Sequence, residues 1–92
     1  MKKLEGTLEL TLSGRLDTIS APNLLTFYER HKADIQSVHV DCEKLDYISS
    51  AGFRVLLIMQ KGCVGGVTLK GINNVVREIL EQTGFDTLIT IL

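Results

Sequence analysis

The sequence predicts a small α/β domain. It has a mixed, mainly parallel β-sheet, an antiparallel strand at its N-terminus and about three α-helices. Three observations lead there. Segments whose apolar residues alternate with period two are interleaved with segments whose apolar residues recur every three or four positions. Strands that alternate with helices in this way pair in parallel through right-handed crossovers. The chain has 92 residues, which is enough for one hydrophobic core, so residues 1–92 read as a single domain.

The elements follow in order. Leu4 and the lysines before it suggest a short strand, with Glu5-Gly6 as the turn that leads out of it. Leu8, Leu10 and Leu12 then alternate with Thr7, Glu9 and Thr11, the pattern of a strand with one apolar face. Ser13-Gly14 interrupts the alternation and Leu16 resumes it, which predicts a kink or bulge. Thr18 and Ser20 are candidate caps for a helix over about Ala21 to His31. Pro22 falls in its first turn, where a missing N–H costs nothing, and Leu24, Leu25, Phe27 and Tyr28 lie at helical spacing. Ser37 to Cys42 alternates again, and Glu43 to Tyr47 reads as a loop. Ser49-Ser50 then opens a helix that Lys61 and Gly62 close. Gly65-Gly66 turns into a strand at Val67 to Lys70. Asn73 or Asn74 caps a last helix with Val75, Val76, Ile79 and Leu80 on its inner face. Gly84 ends that helix, with Phe85 placed to fold back on it, and Thr87 to Ile91 completes the pattern as a strand.

Charge and composition exclude several functions. Ten Lys and Arg balance eleven Asp and Glu, so the basic excess of a nucleic-acid binder is missing. The longest apolar run, Val55 to Met59, is far short of the roughly 20 residues that cross a bilayer, so no membrane insertion is expected. The basic start at Met1-Lys2-Lys3 has no apolar stretch behind it, which argues against a signal peptide and for a cytoplasmic protein. There, Cys42 and Cys63 would remain thiols.

Catalytic and metal-binding constellations are missing as well. There is no CxxC or HExxH, and two histidines, His31 and His39, are not spaced with other ligands for zinc, so no metal or cofactor is expected. Gly62 to Gly66 precedes a strand and lacks the GK[ST] ending of a phosphate loop. Ser50 does not lie in a G-x-S-x-G elbow. What remains is Leu45 to Gly52, which places two hydroxyls at a helix N-terminus just after a strand. Capping accounts for one serine, and physics alone favours that role. A hydroxyl there is also a phosphate acceptor, because the free N–H groups and the dipole of the helix tolerate the added charge.

Gly14-Arg15-Leu16-Asp17, Ala21-Pro22-Asn23-Leu24, Val38-His39-Val40-Asp41 and above all Leu45-Asp46-Tyr47-Ile48-Ser49-Ser50-Ala51-Gly52-Phe53-Arg54-Val55-Leu56-Leu57 resemble the segments of a STAS domain in order. Gly66-Val67-Thr68-Leu69 and Val75 to Phe85 fit its closing strand and helix, so the resemblance runs from about Thr7 to Ile91. Free-standing domains of this kind resemble bacterial anti-sigma factor antagonists. The resemblance implies a binding module rather than an enzyme. Unphosphorylated, it would sequester an anti-sigma factor that is also a serine kinase, and so affect transcription. The kinase would release itself by phosphorylating Ser50, and a metal-dependent phosphatase of the PP2C type would restore the active form. Ser49, where many members carry Asp, is the less favoured acceptor. The implied docking residues are Asp17, Ser49, Ser50, Ala51, Gly52 and Phe53. No helix is expected after Ile91, so any contact the family makes through a C-terminal helix is expected to be missing. Two other readings are a constitutive STAS docking subunit of a membrane transport or regulatory complex, and a small hydrolase or nucleotide-binding enzyme using Ser50. The missing base and phosphate loop argue against the second.

Overall fold

The computed structural model describes residues 2–4 and 6–92. The basic start at Met1 and half of the expected Glu5-Gly6 turn lie outside the described residues. The elements in chain order are β1 (Lys2–Leu4), β2 (Thr7–Leu16), α1 (Ala21–His31), β3 (Ser37–Ile48), α2 (Ser50–Gly62), β4 (Val67–Lys70), α3 (Asn74–Thr83) and β5 (Thr90–Ile91). They build one five-stranded sheet in the order β1-β2-β3-β4-β5. Strands β2 to β5 are parallel, and β1 lies antiparallel to β2 with Lys2 opposite Glu9.

Strand order equal to chain order decides where the core sits. Crossovers of one hand between successive neighbours carry every helix to the same face of the sheet. The burial along the strands follows from this. Leu8, Val38 and Val67 stand side by side in register, as do Leu10, Val40 and Leu69, and all six are buried. On the other face Glu9, His39, Thr68 and Thr90 form one row and Thr11, Asp41 and Lys70 the next, and none of these is buried. The leucine alternation in β2 is therefore the signature of a one-sided sheet.

Two expectations about strands differ from the structure. The segment Glu43 to Tyr47, expected as a loop, continues β3 to Ile48. The pairing explains why the pattern hid it. Thr11 pairs with Asp41 but Ser13 with Lys44, and Gly14 pairs with Leu45 but Arg15 with Tyr47, so β3 carries an extra residue at each of two bulges. Its buried residues there, Cys42, Leu45 and Ile48, are spaced by three, and an alternation of two is lost without loss of the strand. At the other end, the expected strand Thr87 to Ile91 shrinks to Thr90–Ile91, because Phe85 to Thr87 forms a 3-10 turn instead.

The helices pack by their apolar sides. Tyr28, 2% exposed, places its hydroxyl 3.5 Å from the Cys63 sulfur, and burial, assisted by Cys63, pushes its pKa up to about 12. A Cβ on Gly62 would strike that hydroxyl, so the glycine that closes α2 also makes room for Tyr28. Both cysteines are buried free thiols, and burial holds that of Cys42 at about 12. In α3, Val76 and Leu80 are buried, while Val75, expected on the inner face, is 54% exposed. Phe85, after the end of α3, stacks on Phe53 of α2, with ring centroids 3.6 Å apart and planes 3° from parallel.

Asn73 joins the last helix to the long strand. Its side-chain oxygen accepts from the Val76 N–H at 2.8 Å, capping α3, and its amide donates to the Leu45 carbonyl at 2.9 Å. Leu45 lies in the part of β3 that runs beyond its pairing with β4. Replacing Asn73 with Ala removes the cap and the tether together. A loss of about 1–2 kcal/mol of unfolding free energy is expected in urea denaturation, against a negligible loss for the neighbouring Asn74→Ala.

Candidate functional site

The sheet brings the ends of β2 and β3 together. Leu16 pairs with Ile48, and the Ser49 N–H donates to the Leu16 carbonyl at 2.9 Å. Two turns are thereby held side by side at the carboxyl ends of parallel strands, the edge where α/β domains place their sites. One turn is Asp17 to Ser20, leading into α1. The other is Ser49 and the first turn of α2.

The two serines divide the work. Ser49 has extended backbone and caps α2, its hydroxyl accepting from the Gly52 N–H at 3.2 Å while its carbonyl accepts from the Phe53 N–H at 2.9 Å. Ser50 is the first helical residue. It is exposed, and its hydroxyl has no hydrogen-bond partner among the described residues. A capping serine is tied to the backbone by its function, whereas the one after it is left free.

The other expected docking residues fall on both sides of the surface. Ala51 is partly exposed. Gly52 is buried, and a Cβ there would collide with the Leu16 carbonyl and lie 2.8 Å from the Leu16 Cγ. Its role is close packing of α2 on β2. Phe53, expected on the docking face, is a core residue at 1% exposure, held there by the stack with Phe85. In the first turn of α2, Ser50 and Ala51 thus reach the surface, with Gly52 and Phe53 beneath it.

Asp17 holds its own turn together. One carboxylate oxygen accepts from the N–H groups of Ile19 at 3.0 Å and Ser20 at 3.2 Å, and the other lies 3.5 Å from the Arg15 Nε. Ser20, a candidate helix cap, makes no cap bond to α1. Its hydroxyl accepts from the Asp17 N–H at 2.9 Å and donates to the Arg15 carbonyl at 2.7 Å. The Ser20 and Ile19 N–H groups, with smaller help from the Ser20 hydroxyl and Arg15, hold the Asp17 carboxyl below the ordinary carboxylate range. Arg15 in turn lies 4.4 Å from the centroid of the Tyr47 ring.

The turn presents a residue that motif reading passed over. Ile19 is 84% exposed, with its N–H fixed by Asp17. The available signal was an isoleucine set among polar residues in the turn Asp17-Thr18-Ile19-Ser20. Beside it, between β2 and α1, opens a shallow cleft of about 370 Å³, lined mainly by Leu10, Leu12, Leu24 and Phe27 together with Arg15, Ser20 and Asn23. Its lining contains no carboxylate, imidazole or thiol. Among the described residues no group of three or more His, Cys, Asp or Glu is placed to hold a metal ion, and no helix is long and apolar enough to cross a membrane.

Comparison with known proteins places this geometry in context. A family model described as Mlab, STAS domain, matches residues 2–90. The putative anti-sigma factor antagonist BtrV of Bordetella bronchiseptica is 34% identical over an alignment of 89 residues that covers 92% of this chain and 77% of the relative. The solved structure of the anti-sigma factor antagonist SpoIIAA in its unphosphorylated form superposes with a TM-score of 0.86 at 15% identity, over 100% of this chain and 84% of that one. The STAS domain of a SulP transporter from Vibrio cholerae superposes at 0.72 and 14% identity, over 98% and 75%. At these identities the two structures establish likeness of fold.

Two measurements check the assignments made at this site. Ser49→Ala is expected to cost about 1 kcal/mol of stability in chemical denaturation, and Ser50→Ala less than about 0.5 kcal/mol. Asp17→Asn keeps the turn's acceptor and removes its charge. Because folding lowers the Asp17 pKa, the carboxylate stabilises the fold fully above the unfolded pKa near 3.8 and loses that contribution as pH falls through the folded value. Thermal melts followed by circular dichroism are expected to show the wild type ahead of Asp17→Asn at pH 6 and the two converging toward pH 2. A gap independent of pH would show that the charge is not what holds the turn.

Proposed function

Because the chain belongs to the STAS domain family, we propose that it is an anti-sigma factor antagonist, a binding module whose grip on its partner is released by phosphorylation of Ser50. The observation that carries this reading is the free, exposed Ser50 hydroxyl next to a serine that already caps the helix. A hydroxyl engaged as a cap would have to leave its N–H partner to be modified, whereas Ser50 breaks nothing. The relationship to a putative anti-sigma factor antagonist supports an anti-sigma factor as the partner.

In the unphosphorylated state the turn carrying Ile19 and the first turn of α2 form the docking surface. Ile19 supplies an apolar contact and Ser50 lies beside a partner backbone or side chain. Asp17 and Ser49 shape the surface from behind. The partner, an anti-sigma factor with serine kinase activity, transfers the γ-phosphoryl group of ATP to the Ser50 Oγ. The new O–P bond forms as the bond to ADP breaks, and the hydroxyl proton passes to a base of the kinase. The modification adds a charge of about −1.5 to −2 at pH 7. A dianion pressed into an interface shaped for a hydroxyl is desolvated without a partner, and a penalty of about 3 kcal/mol already weakens binding more than a hundredfold. A metal-dependent phosphatase of the PP2C type returns Ser50 to the hydroxyl. In this scheme the domain needs no catalytic group of its own.

The test uses the anti-sigma kinases of the source cell. Each is incubated with this protein and ATP, and the products are measured by intact and peptide mass. One phosphate on the peptide containing Ser49 and Ser50, absent from Ser50→Ala, is expected from the cognate kinase, together with a loss of binding beyond a hundredfold in Ser50→Asp. A protein that no such kinase modifies, and whose Ser50→Asp variant binds its partner like the wild type, would overturn the reading.

A further inference from the structure

The solvent-facing stripe of α2 runs through Ser50, Arg54, Ile58 and Lys61, successive positions three or four residues apart on a helix otherwise turned into the core. Arg54 is exposed on this stripe one turn after Ser50 and has neither a hydrogen bond nor an ion pair among the described residues. Its situation differs from that of Arg15, which is occupied by Asp17 and the Tyr47 ring. The two unengaged side chains at this end of α2 are thus a hydroxyl and a guanidinium at positions i and i+4.

We propose that Arg54 is the built-in counter-ion of a phosphate on Ser50. The inference rests on the reading of Ser50 as the phosphorylated residue and adds how the modified state is held. Residues at i and i+4 on a helix have Cβ atoms about 5–6 Å apart, a gap that a phosphoserine and an arginine close easily. An anion followed by a cation is the favourable order along the helix axis, and the planar guanidinium offers two parallel N–H donors to phosphate oxygens. Forming the pair breaks no hydrogen bond or ion pair, since neither side chain has one among the described residues. Asp17, the acidic residue of the adjoining turn, already has its carboxylate occupied by Arg15, Ile19 and Ser20. Phosphorylation then changes the surface in two ways without unfolding it. An anion appears at Ser50, and a cation free to meet the partner is withdrawn into an internal pair.

The experiment installs phosphoserine at position 50 during synthesis by codon suppression, so its outcome does not depend on any kinase. Phosphorylated and unmodified proteins are melted in low salt, each with Arg54, with Arg54→Gln and with Arg54→Lys. The shift in melting temperature caused by the phosphate is expected to be about 2–4 °C more favourable with Arg54 than with Arg54→Gln. Arg54→Lys is expected to recover part of it, and 1 M sodium chloride to remove most of the difference. The same phosphate-induced shift in the Arg54 and Arg54→Gln proteins would overturn the pair. That result would leave the phospho-switch standing, because the switch is judged by kinase labelling and partner binding.

Discussion

Everything at the candidate site depends on how closely the first turn of α2 lies against the end of β2. Gly52 packs on the Leu16 carbonyl at a distance no side chain tolerates, and the Ser49 N–H donates to that same carbonyl. One peptide group thus sets the height of the helix above the sheet and the point where the chain leaves β3. With those two coordinates set, Ser49 is positioned to cap and Ser50 falls one residue further on, outside the cap and facing water. The neighbouring turn is fixed from the same place, since Leu16 leads directly into Asp17 and the hydrogen bonds it makes with Ile19 and Ser20. Burial then anchors the helix from the far side, where Phe53 and Phe85 stack.

The sequence made the fold legible wherever one physical rule acted alone. The alternation in Thr7 to Leu12, the left-handed Gly84 that ends α3 and the Ser49 cap of α2 each report a single local preference, and each lies where that preference puts it, whereas Gly62, expected just past the end of α2, is its last helical residue. Legibility failed where two rules overlapped. In β3 the bulges shift the buried residues to a spacing of three, which resembles neither a strand nor an amphipathic helix. In Phe53 the motif pointed to the docking end of α2, while the packing of an aromatic ring on Phe85 decided its burial. That partner is more than thirty positions away and is not visible in a local window. Gly52 entered as an implied docking residue, and its close packing on Leu16 depends on a strand that no local window contains. Asp17 is a docking residue only by the resemblance, and its carboxylate is engaged by the N–H groups of its own turn, a contact that no motif shows. Ile19 stands outside the quoted motifs and Arg54 inside one that gave it no role, and the interest of both arises from their exposure.

A domain read by another protein needs rigidity at the reading point and freedom in the group that is read. The structure separates these two needs residue by residue. Ser49, Gly52, Asp17 and Ser20 are bonded or packed to the backbone around them, while Ser50 and Ile19 carry no such side-chain bonds. A change in charge at Ser50 therefore acts on the surface it presents and leaves the framework intact. A chain of near-neutral net charge is well suited to such a device, since one phosphate is large against its total of −1.

The sequential strand order also shapes how the chain reaches this structure. In β2 to β5, each strand pairs with the strands next to it in the chain, so each pairing closes a loop of only one helix and its turns. Short closures keep the entropic cost of every step low and favour rapid assembly for a parallel sheet. They also allow growth from one end. The β2-α1-β3 unit contains the longest ladder in the sheet and can form while later residues are still being synthesised, after which α2 with β4, and α3 with β5, add in turn as the ribosome releases them. The turn bearing Asp17 lies within the first unit to appear, whereas Ser50 is set in place only when the second helix docks. In a nascent chain Ser50 would thus belong to the later half of the candidate site to be set in place.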